Sequence, residues 1–67
     1  MKITINGEKT IIEPNTNILI LLNQRGIVQK KGVAIACNDD VIPQTRWEEH
    51  ILQEGDVIEI LRATAGG

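Results

Sequence analysis

Asn17-Ile18-Leu19-Ile20-Leu21-Leu22-Asn23-Gln24-Arg25-Gly26 is the segment on which the architecture turns. Asn17 carries a side-chain oxygen of the kind that caps a helix start. Ile18, Leu21 and Leu22 then fall on one face of a 3.6-residue period, with Arg25 near the same side. Gly26 stands where a left-handed residue would close the helix. The spacing predicts a single helix from the Asn17 cap to about Arg25, with an apolar stripe that needs a cover. Leu19 and Ile20 point away from that stripe. They read either as extra core under a neighbouring loop or as a partner surface.

Working outward, every other segment reads as strand or turn. Lys2-Ile3-Thr4-Ile5 alternates polar and apolar, Asn6-Gly7 suits a tight hairpin, and Glu8 to Glu13 is the return strand, ended by Pro14. Beyond the helix, Gln29-Lys30-Lys31-Gly32 is a solvated connection. Val33 to Asn38 is a strand with Val33, Ile35 and Cys37 on one face and Ala34 and Ala36 on the other. Asn38-Asp39-Asp40 is turn chemistry. Val41-Ile42 makes a short edge strand stopped by Pro43. Thr45-Arg46-Trp47-Glu48 has capping-box spacing and predicts one short helical turn. Glu54-Gly55-Asp56 is a second turn before Val57 to Leu61, the last strand, with Ile58 and Ile60 on one face. The order strand, strand, helix, strand, short turn, strand predicts an α+β domain: a mixed sheet clasping one main helix, the ubiquitin-like β-grasp. Residues 1–62 form that domain and residues 63–67 a flexible C-terminal Gly-Gly tail.

Size and charge exclude much. A 67-residue chain buries only ~60% of the surface its unfolded form exposes, which leaves one thin core and no deep pocket. Seven basic against nine acidic residues, a net charge of −2, supply no basic stripe for nucleic acid or for an anionic membrane. The longest apolar run, Ile18 to Leu22, is far too short to cross a bilayer. A single cysteine forms no internal disulfide, and the N-terminus lacks a signal-peptide core, so a cytoplasmic location is expected; the free chain is expected to be a monomer.

Side-chain chemistry is sparse. Cys37 shares an alternating row with Val33 and Ile35, so it reads as core, with no basic neighbour in sequence to activate it. His50 is the only histidine; one His and one inward Cys do not make up a metal's ligand set, and His50 reads as a surface or partner-contacting residue. Trp47, the only aromatic, is expected to plug one end of the core beside Pro43. No carboxylate pair has acid–base spacing. No catalytic or metal residue is therefore assigned.

The tail is different. At ~7% glycine usage, two glycines in the last two positions arise by chance in about one chain in two hundred. With Gly67 expected to be terminal, its carboxylate is a poor electrophile until AMP is placed on it. A sulfur nucleophile can then displace the AMP. Glycine suits a carbonyl that must enter another protein's site, having no Cβ to obstruct the channel. The five residues from Ala63 can reach ~17 Å. Leu61 lies on the opposite face of the last strand from Ile58 and Ile60, just before this tail, and is the candidate partner surface.

Over essentially its whole length the chain resembles the thiamine-biosynthesis sulfur carriers (ThiS-like members of the ubiquitin-like β-grasp family). The resemblance rests on the first hairpin, Asn17-Ile18 and Leu21-Leu22, Val33-Ala34-Ile35-Ala36 leading to Asn38, and Val41-Ile42-Pro43 before Trp47. It continues through Leu52 and Gly55-Asp56-Val57-Ile58-Glu59-Ile60 to Ala65-Gly66-Gly67. Gln44 replaces a frequent Arg, and Cys37 stands where the family usually has an aliphatic residue. The resemblance implies that the chain is a carrier and not an enzyme. An E1-like adenylating enzyme would consume ATP to form a glycyl adenylate on Gly67. A cysteine desulfurase or another sulfur donor would convert it to a thiocarboxylate (1-thioglycine), with or without a thioester or acyl-disulfide link to a partner cysteine. Thiazole synthase would accept the sulfur. Ala65 and Gly66 would serve tail recognition, and no cofactor would be bound. The alternatives are the small subunit of molybdopterin synthase, a ubiquitin-like protein modifier and a non-reactive β-grasp binding module.

Overall fold

The computed structural model describes residues 1–27 and 31–63. Strands β1 (Lys2–Ile5) and β2 (Glu8–Ile11) form the first hairpin. Helix α1 (Ile18–Gln24) follows, then β3 (Val33–Cys37) and β4 (Asp40–Ile42), a 3-10 turn (Gln44–Arg46) and β5 (Val57–Arg62). The five strands form one sheet in the order β2-β1-β5-β3-β4. β1 and β5 run parallel and every other pair is antiparallel. A parallel pair needs a long crossover, and here it includes α1, which covers one face of the sheet. This is the mixed, helix-clasping sheet expected of a β-grasp.

The local signals act through stated contacts. Asn17 Oδ1 accepts the Ile20 N–H at 2.7 Å, which caps α1 as its sequence predicts. Gly26 at φ +78° ends it, and the Ile27 N–H reaches back to the Leu22 carbonyl. Both hairpins turn on residue pairs with positive φ: Asn6 and Gly7, then Asn38 and Asp39. Positive φ at both central residues matches the twist of the flanking strands.

Several details depart from the sequence reading: β3 ends at Cys37 rather than Asn38, β4 starts at Asp40 rather than Val41, and β5 runs to Arg62 rather than Leu61. β2 stops at Ile11 rather than Glu13, because its partner β1 has run out: Lys2 faces Ile11, and the last links join Ile12 to the terminal Met1, Ile12 N–H to the Met1 carbonyl and the Met1 amino group to the Ile12 carbonyl. The Thr45–Glu48 capping box does not form. Pro43 occupies the cap position of the 3-10 turn with no side-chain hydrogen bond, so Thr45 lies inside the turn, although the short helical turn itself is present. Of the predicted 29–32 connection, Gln29 and Lys30 lie outside the described residues.

The core lies between the sheet and α1. Ile3, Ile5, Ile35, Cys37, Ile58 and Ile60 face inward and meet Ile18, Leu21 and Leu22, each of the nine no more than 7% exposed. Ile12, Ile27, Leu52 and Trp47 close the margins. Trp47 plugs one end as expected, and its Nε1–H donates to the Ile42 carbonyl at 2.8 Å, which satisfies the indole where it is buried. Leu19 is half-buried beside Gln44, Thr45, Trp47 and Glu48, whereas Ile20 remains exposed. Among the described residues, no helix is long and apolar enough to cross a membrane.

Candidate functional site

Strand β5 leads to the C-terminal segment, and its backbone is held along both sides. Toward β3 it pairs Glu59 with Ala36 and Leu61 with Ala34. Just past Arg62, the Ala63 N–H donates to the Gly32 carbonyl at 2.7 Å. Gly32 has φ +77°, and a Cβ there would sit 3.4 Å from the Ala63 carbonyl oxygen, so glycine suits both the backbone and the close approach.

Toward β1 the arrangement is less ordinary. β1 leaves the sheet at the Asn6-Gly7 turn, while β5 runs on. The Asn6 side chain takes over the ladder: its Oδ1 accepts the Ile60 N–H at 2.8 Å and its Nδ2–H donates to the Ile60 carbonyl at 3.3 Å. Asn38 does the same kind of work at the other end of β5. Its Oδ1 accepts the Val57 N–H at 2.9 Å and its Nδ2–H donates to Asp56 Oδ1 at 3.0 Å. Two turn asparagines thus brace the strand that carries the tail. The sequence marks Asn6 as a turn residue and Asn38 as a strand end leading into a turn; that their amides serve β5 depends on the register.

The outward face of β5 presents Val57, Glu59 and Leu61. Leu61 is 64% exposed, as its alternation with Ile58 and Ile60 predicts. Its cross-strand neighbour is Ala34, and Ala36 lies between Glu59 and the 73%-exposed Val41. Alanine side chains are too short to cover their neighbours, so Leu61 and Val41 stand above the sheet. The predicted modified residue Gly67 and the recognition residues Ala65 and Gly66 lie outside the described residues.

Cys37 is buried at the opposite end of this strand. It faces Ile58, five residues before Ala63, about 16 Å along an extended chain. Burial pushes its thiol up to about 11, helped by the charge and hydrogen bonding of Asp56 and by the charge of Asp40. A thiol so placed is a poor nucleophile, in keeping with the core reading.

His50 is half-buried, and its ring lies in a cluster with Cys37 and Asp56. Asp56, predicted as a simple turn residue, is only 8% exposed. Its Oδ2 accepts the Gln53 N–H at 2.8 Å. Spacings of 13 and 6 residues gave no sign that these three side chains converge.

Comparison with known proteins places the whole chain. The model of the ThiS family matches residues 2–67. Sulfur carrier protein ThiS of Escherichia coli (strain K12) is 38% identical over 50 residues, 75% of this chain and 70% of that protein. A thiazole synthase of Paramagnetospirillum magneticum (strain ATCC 700264 / AMB-1) is 30% identical over 67 residues, 100% of this chain but 20% of that protein. The crystal structure of the thiamine biosynthesis protein ThiS from Geobacter metallireducens superposes with a TM-score of 0.84 at 25% identity, with both chains covered in full.

Proposed function

The chain belongs to the ThiS family, and we propose that it is a sulfur carrier of thiamine biosynthesis whose reactive group is the Gly67 carboxylate. The observation that carries this reading is the family match that runs through the final glycine, together with the identity to a curated sulfur carrier. It is a carrier and not a catalyst, like the family it belongs to.

The chemistry follows from the carboxylate. An E1-like enzyme activates it: a carboxylate oxygen attacks the α-phosphorus of ATP and pyrophosphate leaves. A sulfur nucleophile then attacks the acyl carbon, and AMP departs with the bonding electrons: sulfide gives the thiocarboxylate directly, whereas a cysteine-desulfurase persulfide gives an acyl disulfide, whose S–S bond a second thiol cleaves to leave the thiocarboxylate and a disulfide. The thiocarboxylate then passes its sulfur to thiazole synthase. The thiazole synthase relative supports that acceptor, because a stretch resembling this entire chain lies within it. It favours thiamine over molybdopterin as the destination. Ala65 and Gly66 line the approach to the reacting carbon, and Leu61 docks the adenylating enzyme beside the tail. The burial of Cys37 at the far end of β5 supports transfer without a thiol relay in the carrier itself.

Two altered tails test this. Deleting Gly67 retracts the carboxylate by up to ~3.6 Å, and a misplacement of ~1 Å can cost about a hundredfold in rate. Adding one alanine after Gly67 turns the reacting carboxylate into an amide. With the adenylating enzyme, ATP and a sulfur donor, intact-mass measurement should find one oxygen replaced by sulfur in the unaltered chain alone. Sulfur acquired by the alanine-extended, unprocessed protein would place the site elsewhere.

A further inference from the structure

From the convergence of Cys37, His50 and Asp56, we propose that this protein holds a zinc-type divalent cation at the end of the domain away from the tail. Their donor atoms, a thiol sulfur, an imidazole nitrogen and a carboxylate oxygen, all lie within 4.8 Å of one another. Around a tetrahedral ion with bonds of 2.0–2.3 Å, donor atoms sit roughly 3.3–3.8 Å apart. The longest edge of the triangle therefore closes by at most about 1–1.5 Å on binding, within the reach of side-chain torsions.

The three ligands come from separate parts of the fold, each independently held. Cys37 ends β3 and pairs with Ile58. His50 belongs to the loop that clasps the start of α1. Its N–H donates to the Arg46 carbonyl at 3.0 Å and its carbonyl accepts the Ile18 N–H at 3.2 Å. Asp56 precedes β5, with Oδ1 bonded to Asn38 Nδ2 and Oδ2 to the Gln53 N–H. Each oxygen keeps a free lone pair, so these bonds serve to orient the carboxylate as outer partners do in metal sites. The same Asn38 amide lies 3.8 Å from the Cys37 sulfur.

Charge points the same way. Asp56 is buried, yet among the described residues no Lys or Arg pairs with it; the ion pair found there is Arg46–Glu49. Its two hydrogen bonds hold the carboxylate without neutralising its charge, which leaves it free to face a cation. Sulfur with imidazole selects a borderline-soft ion over magnesium or calcium. On binding, the thiol proton leaves to solvent and a sulfur–metal bond forms; water takes the fourth position. The ion ties β3, the helix-clasping loop and β5 together, a structural role separate from the chemistry of the tail.

The full chain, stripped with a chelator and kept reduced, is titrated with cobalt(II) and then zinc(II). One cobalt per chain should bind, with sulfur-to-cobalt charge-transfer absorption and the intense visible bands of tetrahedral geometry, and zinc should displace it. Zinc should also raise the melting temperature and shift the Cys37 Cβ and His50 ring signals in NMR spectra, a readout that needs no variant. Loss of an outer-shell partner alone weakens metal sites roughly 10–100-fold, so Cys37→Val and the partly exposed His50→Gln should each weaken zinc binding at least that much. Absence of the thiolate absorption, unmoved Cys37 and His50 signals, or wild-type affinity in folded His50→Gln would each overturn the site.

Discussion

Replacing Leu61 by Asp tests whether the outer face of β5 docks a partner. Full burial of a leucine side chain is worth about 1.5–3 kcal/mol. In the free carrier Leu61 is 64% exposed, so about 1–2 kcal/mol of that remains to be gained on docking, which corresponds to about 5–30-fold in affinity. Aspartate forfeits this gain and adds the cost of drying a carboxylate, about 1–3 kcal/mol when it finds no partner. The dissociation constant for the adenylating enzyme should therefore rise by about 30-fold to a few thousandfold. Folding should suffer far less. The lost contacts are few, and the poor strand preference of Asp costs at most about 1 kcal/mol, or roughly 4–8 °C in melting temperature. Ile11→Asp supplies the control, because Ile11 is 72% exposed but lies on edge strand β2, separated from β5 by β1. Calorimetric titration of the adenylating enzyme with each variant measures the effect. Unchanged affinity for folded Leu61→Asp, or equal losses for both variants, would refute the docking argument.

Two further substitutions probe the frame. Asn6→Gly keeps the positive φ but removes both bonds to Ile60; at about 1 kcal/mol per bond it should lose about 2 kcal/mol in urea unfolding, and Asn6→Ala about 1 kcal/mol more from its left-handed backbone. Equal stabilities for the Gly and Ala variants would dispose of the strain argument. Cys37→Val should retain sulfur transfer, since it nearly preserves volume. It should also change the alkaline limb of stability. The thiol is raised from 9.0 to about 11 on folding, so between those values the unfolded chain has released a proton that the folded one keeps. The stabilisation is complete below pH 9 and fades as pH climbs through 11. In metal-free buffer the wild type should therefore lose stability over that window relative to Cys37→Val, and parallel pH curves would contradict the assignment.

Much of this molecule is written in local pattern. Asn17 and Gly26 bracket the helix because capping and positive φ are properties of single residues acting on adjacent backbone. The alternation in Ile3-Thr4-Ile5 and Ile58-Glu59-Ile60 assigns inward and outward faces, because a strand's side chains alternate whatever it pairs with. That is why Leu61 could be placed outside and Cys37 inside before any fold was known. The tail glycines stand out for the same reason, since the chemistry proposed for them needs no neighbour from this chain. Register and convergence are another matter. That Asn6 would bond to Ile60 depends on β5 outrunning β1 across 54 residues of chain. The Thr45–Glu48 box failed because Pro43 and the buried Trp47 already dictate the path of that turn. The Cys37, His50 and Asp56 cluster arises only when β3, a loop and β5 are packed side by side. Sequence alone thus determined the elements and the faces, which are short-range properties. Tertiary structure decided which polar side chains meet, because a hydrogen bond or a ligand set is a relation in space between residues whose separation along the chain carries no record of it.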